Sequence, residues 1–440
     1  MKIAILGNMN NNGFSIMRYF HDLGVDAHLL LYANDGSGSL RHFCPENDTW
    51  YMDKWAKYIH QTTIPNSPYT DLSGIVAYLL CKVQFVVWRL QGKTELHNPW
   101  ISIKRILNDL SGYDKYIGSG IAPGLFKRIG KRLDIFFPYT TGIEHLGSME
   151  LTSSLPYMNL VKRWVTMKAI AKQKEGILDA RFVINPELSL TRDVLNSLNV
   201  SFVPLFIPMV YLEDPGDEAQ FSPGLQNTLK RIDKKKYFFS SARQLWVRSP
   251  QMTTEKWKSE TKNSDWLIRA FAQFIRARSN HDFLLVLMEY GPDVNASRRL
   301  CKELGVDERV IWVPKMARKE VMVLAQGAYA IAGEFRELGE MIWGGTGLEA
   351  LAAGKPLMHS FRFGEGRFED LYGMPRPPIM PVAREQDIFH HMIALADDPG
   401  LTTKIGIASS KWFSDYFGIN LAKKWLELLL SGDFNFCKNV

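Results

Sequence analysis

The sequence predicts an α/β protein made of two doubly wound domains, and three observations carry that expectation. A chain of 440 residues is too long for one ordinary domain, since about 150 residues per domain gives two or three. Short apolar strands alternate with amphipathic helices in both halves, which is the rhythm of a parallel sheet. Residues 213–224 (EDPGDEAQFSPG) are acidic, contain Pro and Gly, lack periodicity and read as a linker between the halves. The expected organisation is therefore a first domain over 1–212, a linker over 213–224 and a second domain over 225–408. A helical segment over 409–440 is expected to cross back to the first domain.

The elements follow in order. Residues 2–6 (KIAIL) form the first strand, ending at Gly7 and followed by an Asn-rich loop up to Gly13. Phe14, Met17, Phe20 and Leu23 recur at helical spacing, and Gly24 ends that helix. Val25 to Tyr32 is the second strand. Further strands are expected at Tyr113–Ile117, Asp134–Tyr139, Ala180–Asn185 and Ser201–Ile207, with a basic helix from Met158 to Leu178. Beyond the linker, strands are expected at Tyr237–Ser240, Phe283–Met288, Arg309–Val313, Ala328–Ala332 and Pro356–His359. Helices are expected at Asp265–Ile275, Lys319–Gln326, Thr346–Ala353 and in the aromatic segment Ser409–Leu430. In such sheets ligands collect at the carboxyl ends of the strands.

Composition narrows the function. With 46% hydrophobic and 22% charged residues the chain is a folded protein, which excludes disorder, collagen and coiled coil. A formal charge of +7 fits an anionic ligand or an anionic membrane surface and does not call for nucleic acid. Cys44, Cys81, Cys301 and Cys437 form no C-x-x-C pair and have no His at metal spacing, so neither a disulfide framework nor structural zinc is expected. The apolar run in MKIAILG is too short for a signal peptide. The most apolar stretch, Gly74 to Leu90, is interrupted by Lys82 and Gln84. It reads as a core-packed helix or as a helix at a lipid interface, not as a membrane span. The expected location is the cytoplasm, with peripheral attachment to the inner face of the membrane.

The strongest chemical signal is GGTGLEALAAGKPLMHS, Gly344 to Ser360. Gly344, Gly345 and Gly347 surround Thr346 at an expected helix start, where free amides bind phosphate. Glu349 could accept hydrogen bonds from a ribose diol. Thr346-x-x-Glu349 equally fits a capping box, which needs no ligand.

This stretch resembles the donor-nucleotide motif of GT-B glycosyltransferases, closest to the retaining family 4. KNSDWLIRAF, Lys262 to Phe271, resembles a second segment of that family. SSARQLW with Arg243, RVIWVPKMARKEVMVLAQGAYAIAGEF, and Ile207-Pro208 match further segments in order. The resemblance implies two Rossmann-like domains facing a central cleft and a nucleotide-sugar donor as substrate, with no cofactor. It implies transfer of a hexose-type sugar to a glycan or lipid-linked acceptor, in bacterial surface-polysaccharide synthesis.

It also implies residue roles. Arg243 and Lys262 would stabilise the departing diphosphate in place of a metal, and no D-x-D motif is present. Gly13 would approach the donor phosphates. His145 follows the DIFFPYTTG strand where the family places a His near the donor sugar, and Glu144 beside it is an acceptor-side candidate. Two departures stand out. The family's E-x7-E would put its first Glu at position 341, which is Met341; Glu340 is the nearest candidate, and Glu337 and Glu334 lie further away. Residues 246–261 insert where the family has a short loop. A basic knot of Lys127, Arg128, Lys131 and Arg132 is either a solvated face or a contact for an anionic bilayer. Two other activities fit the same architecture: a nucleotide-sugar epimerase and a non-catalytic nucleotide-sugar or glycan-binding protein.

Overall fold

The computed structural model describes residues 1–33, 44–64, 103–139, 160–186, 189–250, 252–278, 282–337 and 344–431. Residues 74–90, Glu144, His145, Glu340, Cys81 and Cys437 lie outside them. The chain forms two compact units. One comprises Met1–Glu46, Tyr51–Tyr211 and Leu421–Val440, and the other Asn47–Trp50 and Leu212–Asn420.

The first unit contains β1 (Lys2–Leu6), β2 (Asp26–Leu31), β3 (Ile59–Gln61), β4 (Lys115–Gly118), β5 (Ile135–Phe136) and β6 (Phe182–Val183). They pair in parallel in the order β3-β2-β1-β4-β5-β6. The register sets Ile3 opposite Ala27 on one side and Lys115 on the other. The second unit repeats the plan with β7 (Lys236–Ser240), β8 (Phe283–Met288), β9 (Val310–Val313), β10 (Ala330–Ala332), β11 (Leu357–His359) and β12 (Ile379–Pro381). Its order is β12-β11-β10-β7-β8-β9, again all parallel. Both are the doubly wound order, in which the chain reverses direction across the sheet after its third strand. The reversal leaves a crevice at the carboxyl ends of β1 and β4 in one unit and of β7 and β10 in the other.

The cores follow from the apolar runs. The interior strand β8 (FLLVLM) is buried at all six positions, as expected for a parallel strand covered on both faces. Ser264–Ala277 lays Leu267, Ile268, Phe271 and Phe274 on the second sheet, where Phe238, Phe274 and Phe283 form edge-on and stacked pairs. In the first unit the Gly13 position explains its residue: a Cβ there would lie 2.3 Å from the carbonyl oxygen of Gly7. The helix Asn12–Asp22 can therefore reach the end of β1 only through a glycine.

Four expectations are corrected. Ser201–Ile207 is not a full strand and contributes a single bridge, Val203 to Ile184, because Pro204 and Pro208 cannot donate to a ladder. The linker ends earlier than expected. Pro223 and Gly224 open the helix Pro223–Ile232, with Ser222 capping the amide of Leu225 at 3.3 Å. The aromatic segment Ser409–Leu430 is two helices, Pro399–Tyr416 and Gly418–Ser431, broken where Gly418 adopts a φ of 52°. Edge strands β3 and β12 were not expected; each has three residues and no apolar alternation of its own.

The last helix completes the first core. Trp425 is fully buried, donates its indole N–H to the Phe206 carbonyl at 2.9 Å and meets Phe137 edge-on at 5.5 Å. Truncating a buried aromatic costs about 3–5 kcal/mol, so Trp425→Ala should lower the urea midpoint by that equivalent, and Trp425→Phe by less. A midpoint unchanged in Trp425→Ala would show that the helix is not part of this core.

Candidate active site

The crevice at the carboxyl ends of β7 and β10 holds a cluster of charged groups. The loop after β7 carries Ser241 to Leu245. The amide of Lys262 donates to the carbonyl of Leu245 at 2.7 Å, and the carbonyl of Lys262 accepts from Phe335 at 3.2 Å. This fixes Lys262 just ahead of the helix Ser264–Ala277. Its neighbour Asn263, at φ 43°, makes the turn into that helix. β10 ends in Gly333-Glu334-Phe335, and the Glu334 carboxylate pairs with the Lys262 ammonium and accepts from Arg336 Nη2 at 2.9 Å.

β11 supplies the floor. A Cβ on Gly333 would lie 2.1 Å from His359 Nδ1, so only glycine lets the two strand ends approach. The Glu334 amide donates to His359 Nδ1 at 2.9 Å. That bond makes Nδ1 an acceptor and puts the ring proton on Nε2, which is buried and has no partner among the described residues. Ser360 Oγ accepts the Arg336 amide at 2.9 Å and donates to the Val382 carbonyl at 3.1 Å.

The electrostatics follow from burial. Burial alone would raise Glu334, but Lys262 and then Arg336 outweigh it and hold the carboxyl down at about 2. Burial lowers Lys262, against the opposing pull of Glu334. Burial also depresses His359, to about 4, so the ring is neutral at pH 7. Arg243 lies close enough to act on Lys262 electrostatically, is exposed and forms no ion pair among the described residues. Two cations, Lys262 and Arg336, thus face one carboxylate, and Arg243 lies near Lys262 as a third cation.

The glycine-rich helix Gly345–Ala352 starts nearby, and Thr346 Oγ1 accepts from Ser241 Oγ at 3.4 Å. The N-cap is Gly344, and no side chain caps the helix. The capping-box alternative is thereby overturned, because Thr346 lies inside the helix and Glu349 in its second turn. The amides of Gly347 and Leu348 bond to the Gly344 carbonyl, whereas no such bond engages those of Gly345 and Thr346. A Cβ on Gly344 would meet nothing within 4 Å, and one on Gly345 only Glu349 Oε1 at 3.8 Å. These glycines leave open space that protein packing does not require. Glu349 is not free: Arg318 Nε holds its Oε1 at 3.1 Å, and Arg318 Nη1 reaches Asp48 at 3.3 Å. Burial pushes Glu349 up, Asp48 adds to that, and Arg318 opposes it.

Of the residues expected from sequence, Arg243 and Lys262 come together, and Gly344, Gly345 and Thr346 lie beside the loop after β7. Gly347 is buried within its helix. Gly13 belongs to the first unit, where Asn8 Oδ1 accepts the Phe14 amide at 2.9 Å and the Asn12 carboxamide is buried without a partner among the described residues. Glu334, Arg336, His359, Ser360, Ser241, Arg318 and Asp48 were not assigned roles from sequence. A Gly-Glu step ending the strand AYAIA was the available signal for Glu334. No group of three or more His, Cys, Asp or Glu side chains arranged to hold a metal occurs among the described residues.

Comparison with solved structures identifies the fold. The Anabaena protein HepE, crystallised with UDP and glucose, superposes with a TM-score of 0.55 at 12% identity, covering 98% of this chain and 100% of that one. This chain has the GT-B fold. A sucrose-phosphate synthase from Thermosynechococcus elongatus matches at TM-score 0.51 and 12% identity over 97% of this chain and 98% of that one. A glycosyltransferase from Rickettsia africae matches at TM-score 0.52 and 12% identity over 98% of each. No protein-family model and no curated protein sequence matches the chain.

The depressed His359 makes the GT-B second unit acid-sensitive. Its folded pKa of about 4 lies below the ordinary 6.5, so its contribution is complete above 6.5 and lost as pH falls towards 4. At about 1.4 kcal/mol per pH unit the loss is on the order of 3 kcal/mol. His359→Asn keeps an acceptor for the Glu334 amide but cannot titrate. Urea titrations across this window should show a markedly flatter pH dependence in the variant, and identical slopes would refute the assignment.

Proposed function

We propose that the protein is a glycosyltransferase that moves a hexose-type sugar from a nucleotide-sugar donor to a glycan or lipid-linked acceptor. The observation that carries this reading is the cation surplus over Glu334 next to a glycine-rich helix start with unused amides. A nucleoside diphosphate is an anion that such a site suits. HepE, with the same fold, binds UDP and glucose.

The chemistry follows from the side chains. When the bond between the anomeric carbon and the diphosphate breaks, negative charge builds on the departing phosphate oxygens. The Lys262 ammonium has three N–H donors and spends one on Glu334, leaving two for those oxygens. Arg243, exposed and without an ion pair among the described residues, adds a second cation. Preorganised cations act on developing charge without reorganising during the reaction. Transfer with retention of anomeric configuration needs no protein base, and none is assigned here. Glu349, held by Arg318, presents its carboxylate under Gly345 as the acceptor for the ribose hydroxyls. We place the reaction in surface-polysaccharide synthesis on the cytoplasmic side of a membrane. In the basic knot, Lys127 pairs with Asp179, Arg132 bonds the Asp179 carbonyl and Lys131 bonds the Tyr116 hydroxyl at 2.8 Å. Of these three cations only Lys127 is paired with a carboxylate among the described residues; bonds to a hydroxyl and a carbonyl leave the charges of Lys131 and Arg132 in place. No helix among the described residues is long and apolar enough to cross a membrane.

A thermal-shift screen with UDP, GDP, ADP and CMP tests nucleotide binding first; stabilisation by none would defeat the reading. Gly345→Ala should hold or raise the melting temperature, since alanine in a helix is favoured by about 0.5–1 kcal/mol, yet weaken nucleotide binding by filling the open space. Undiminished binding would exclude the helix start as the phosphate site. In a transfer assay with the stabilising nucleotide's sugar, Lys262→Ala should lower kcat by ~10²–10³ with a smaller change in KM. Chelation by EDTA should leave wild-type turnover intact. A near-normal kcat in the variant, or activity lost to EDTA and restored by Mn²⁺, would overturn the mechanism.

A further inference from the structure

The opposite end of the second sheet carries a different charge arrangement. A cavity of about 590 Å³ opens at the amino ends of β7, β10 and β11, floored by the helix Pro399–Tyr416. Lys234, Lys235, Lys236 and Lys355 line it, and no Asp or Glu does. Among the described residues none of the four forms an ion pair. Lys236 does lie over the Tyr329 ring at 5.0 Å, so part of its charge rests on an aromatic wall of the same cavity.

The cavity is built by backbone constraints. Asp233 and Lys234 both adopt left-handed backbone, at φ 42° and 61°, a conformation that costs a non-glycine residue energy and that turns the lysine run into the mouth. A Cβ on Gly406 would lie 2.5 Å from the Gly354 carbonyl, so the floor helix packs directly on the backbone before Lys355. Burial lowers Lys355, as expected of an ammonium drawn in without a counter-charge.

An ordinary role for these lysines would be to face the negative ends of helices. Three helices end here: Pro223–Ile232, Arg318–Gly327 and Gly345–Ala352. At about −0.5 charge per helix end they offset less than half of the four ammonium charges. The remainder, roughly +2.5, matches one phosphoryl group, which carries about −1.5 to −2 at pH 7.

We propose that this cavity is a second anion site, for a phosphoryl group, at the end of the sheet opposite the crevice that holds Lys262. The group belongs either to a soluble phosphorylated molecule or to a phosphomonoester lipid headgroup. The shared chemistry is a phosphate dianion held by point-charge ammonium groups, with the Ser410 and Thr403 side chains at its rim.

Residue-resolved lysine acetylation followed by mass spectrometry tests this on the intact protein. The probes are inorganic pyrophosphate, and vesicles of phosphatidate compared with phosphatidylcholine, each against sodium chloride at equal ionic strength. Lys235 and Lys355 should acetylate roughly tenfold more slowly at a ligand concentration about ten times its Kd. Lys230 and Lys302, exposed and outside the cavity, are the internal controls. Lys262 separately reports pyrophosphate in the nucleotide crevice. Lys355→Gln should remove the protection at Lys235. Protection by soluble pyrophosphate supports a free ligand, and protection by phosphatidate vesicles alone supports a headgroup. Absence of protection by both, or equal slowing at Lys230 and Lys302, overturns the proposal.

Discussion

The second unit is organised around one buried ion pair, Lys262 with Glu334. Leaving either charge buried without the other would cost about 3–5 kcal/mol, so the surrounding chain must hold both in place. It does so from several sides. Lys262 is tied through its backbone to Leu245 and Phe335, and Glu334 through its amide to His359. The last bond exists only because Gly333 has no side chain. Ser360 then links Arg336 to Val382. The ends of β10 and β11, the loop after β7 and the start of the Ser264–Ala277 helix therefore share a single polar cluster. A site built this way is rigid before any ligand arrives, which is what electrostatic preorganisation requires.

Glycine serves opposite purposes at different points of the chain. Gly13 and Gly333 are forced by crowding: a carbonyl and an imidazole occupy the place of the missing side chain. Gly344 and Gly345 are not forced by their surroundings, because the space beside them is open. The same residue type thus records protein packing in one place and room for something other than protein in the other. Inspection of the sequence cannot separate these cases, since all four glycines lie next to strand or helix ends.

Much of the architecture was legible because parallel strands covered on both faces are continuous apolar runs, as in KIAIL and FLLVLM. The helix Ser264–Ala277 was legible from its 3.6-residue periodicity. What failed lay where local chemistry overrides composition. Pro223 and Gly224 read as linker punctuation but open a helix, because Ser222 caps it. The three-residue edge strands carry too few positions to display a pattern. Within the site, Lys262 and Arg243 were singled out only because KNSDWLIRAF and SSARQLW resemble segments of a known family. Glu334 was passed over because the distance to Glu349 was counted along the chain. Glu334 is selected instead by the fold, which ends β10 beside Lys262. His359 and Ser360 were quoted within a motif but read as strand, since nothing in the sequence indicates that a glycine from a neighbouring strand would admit the imidazole.

The break at Gly418 carries a consequence for the birth of the protein. The segment from Leu421 onward belongs to the first unit, although it is made after the whole of the second. During synthesis at about 5–20 residues per second, the pocket between Phe137 and the Phe206 carbonyl waits for Trp425 until more than 200 further residues have been added. For roughly 10–40 seconds at those rates, the first unit is an unfinished body with apolar surface uncovered. Closure of the first core is therefore tied to synthesis of the segment from Leu421 onward rather than to completion of the first unit's own sheet.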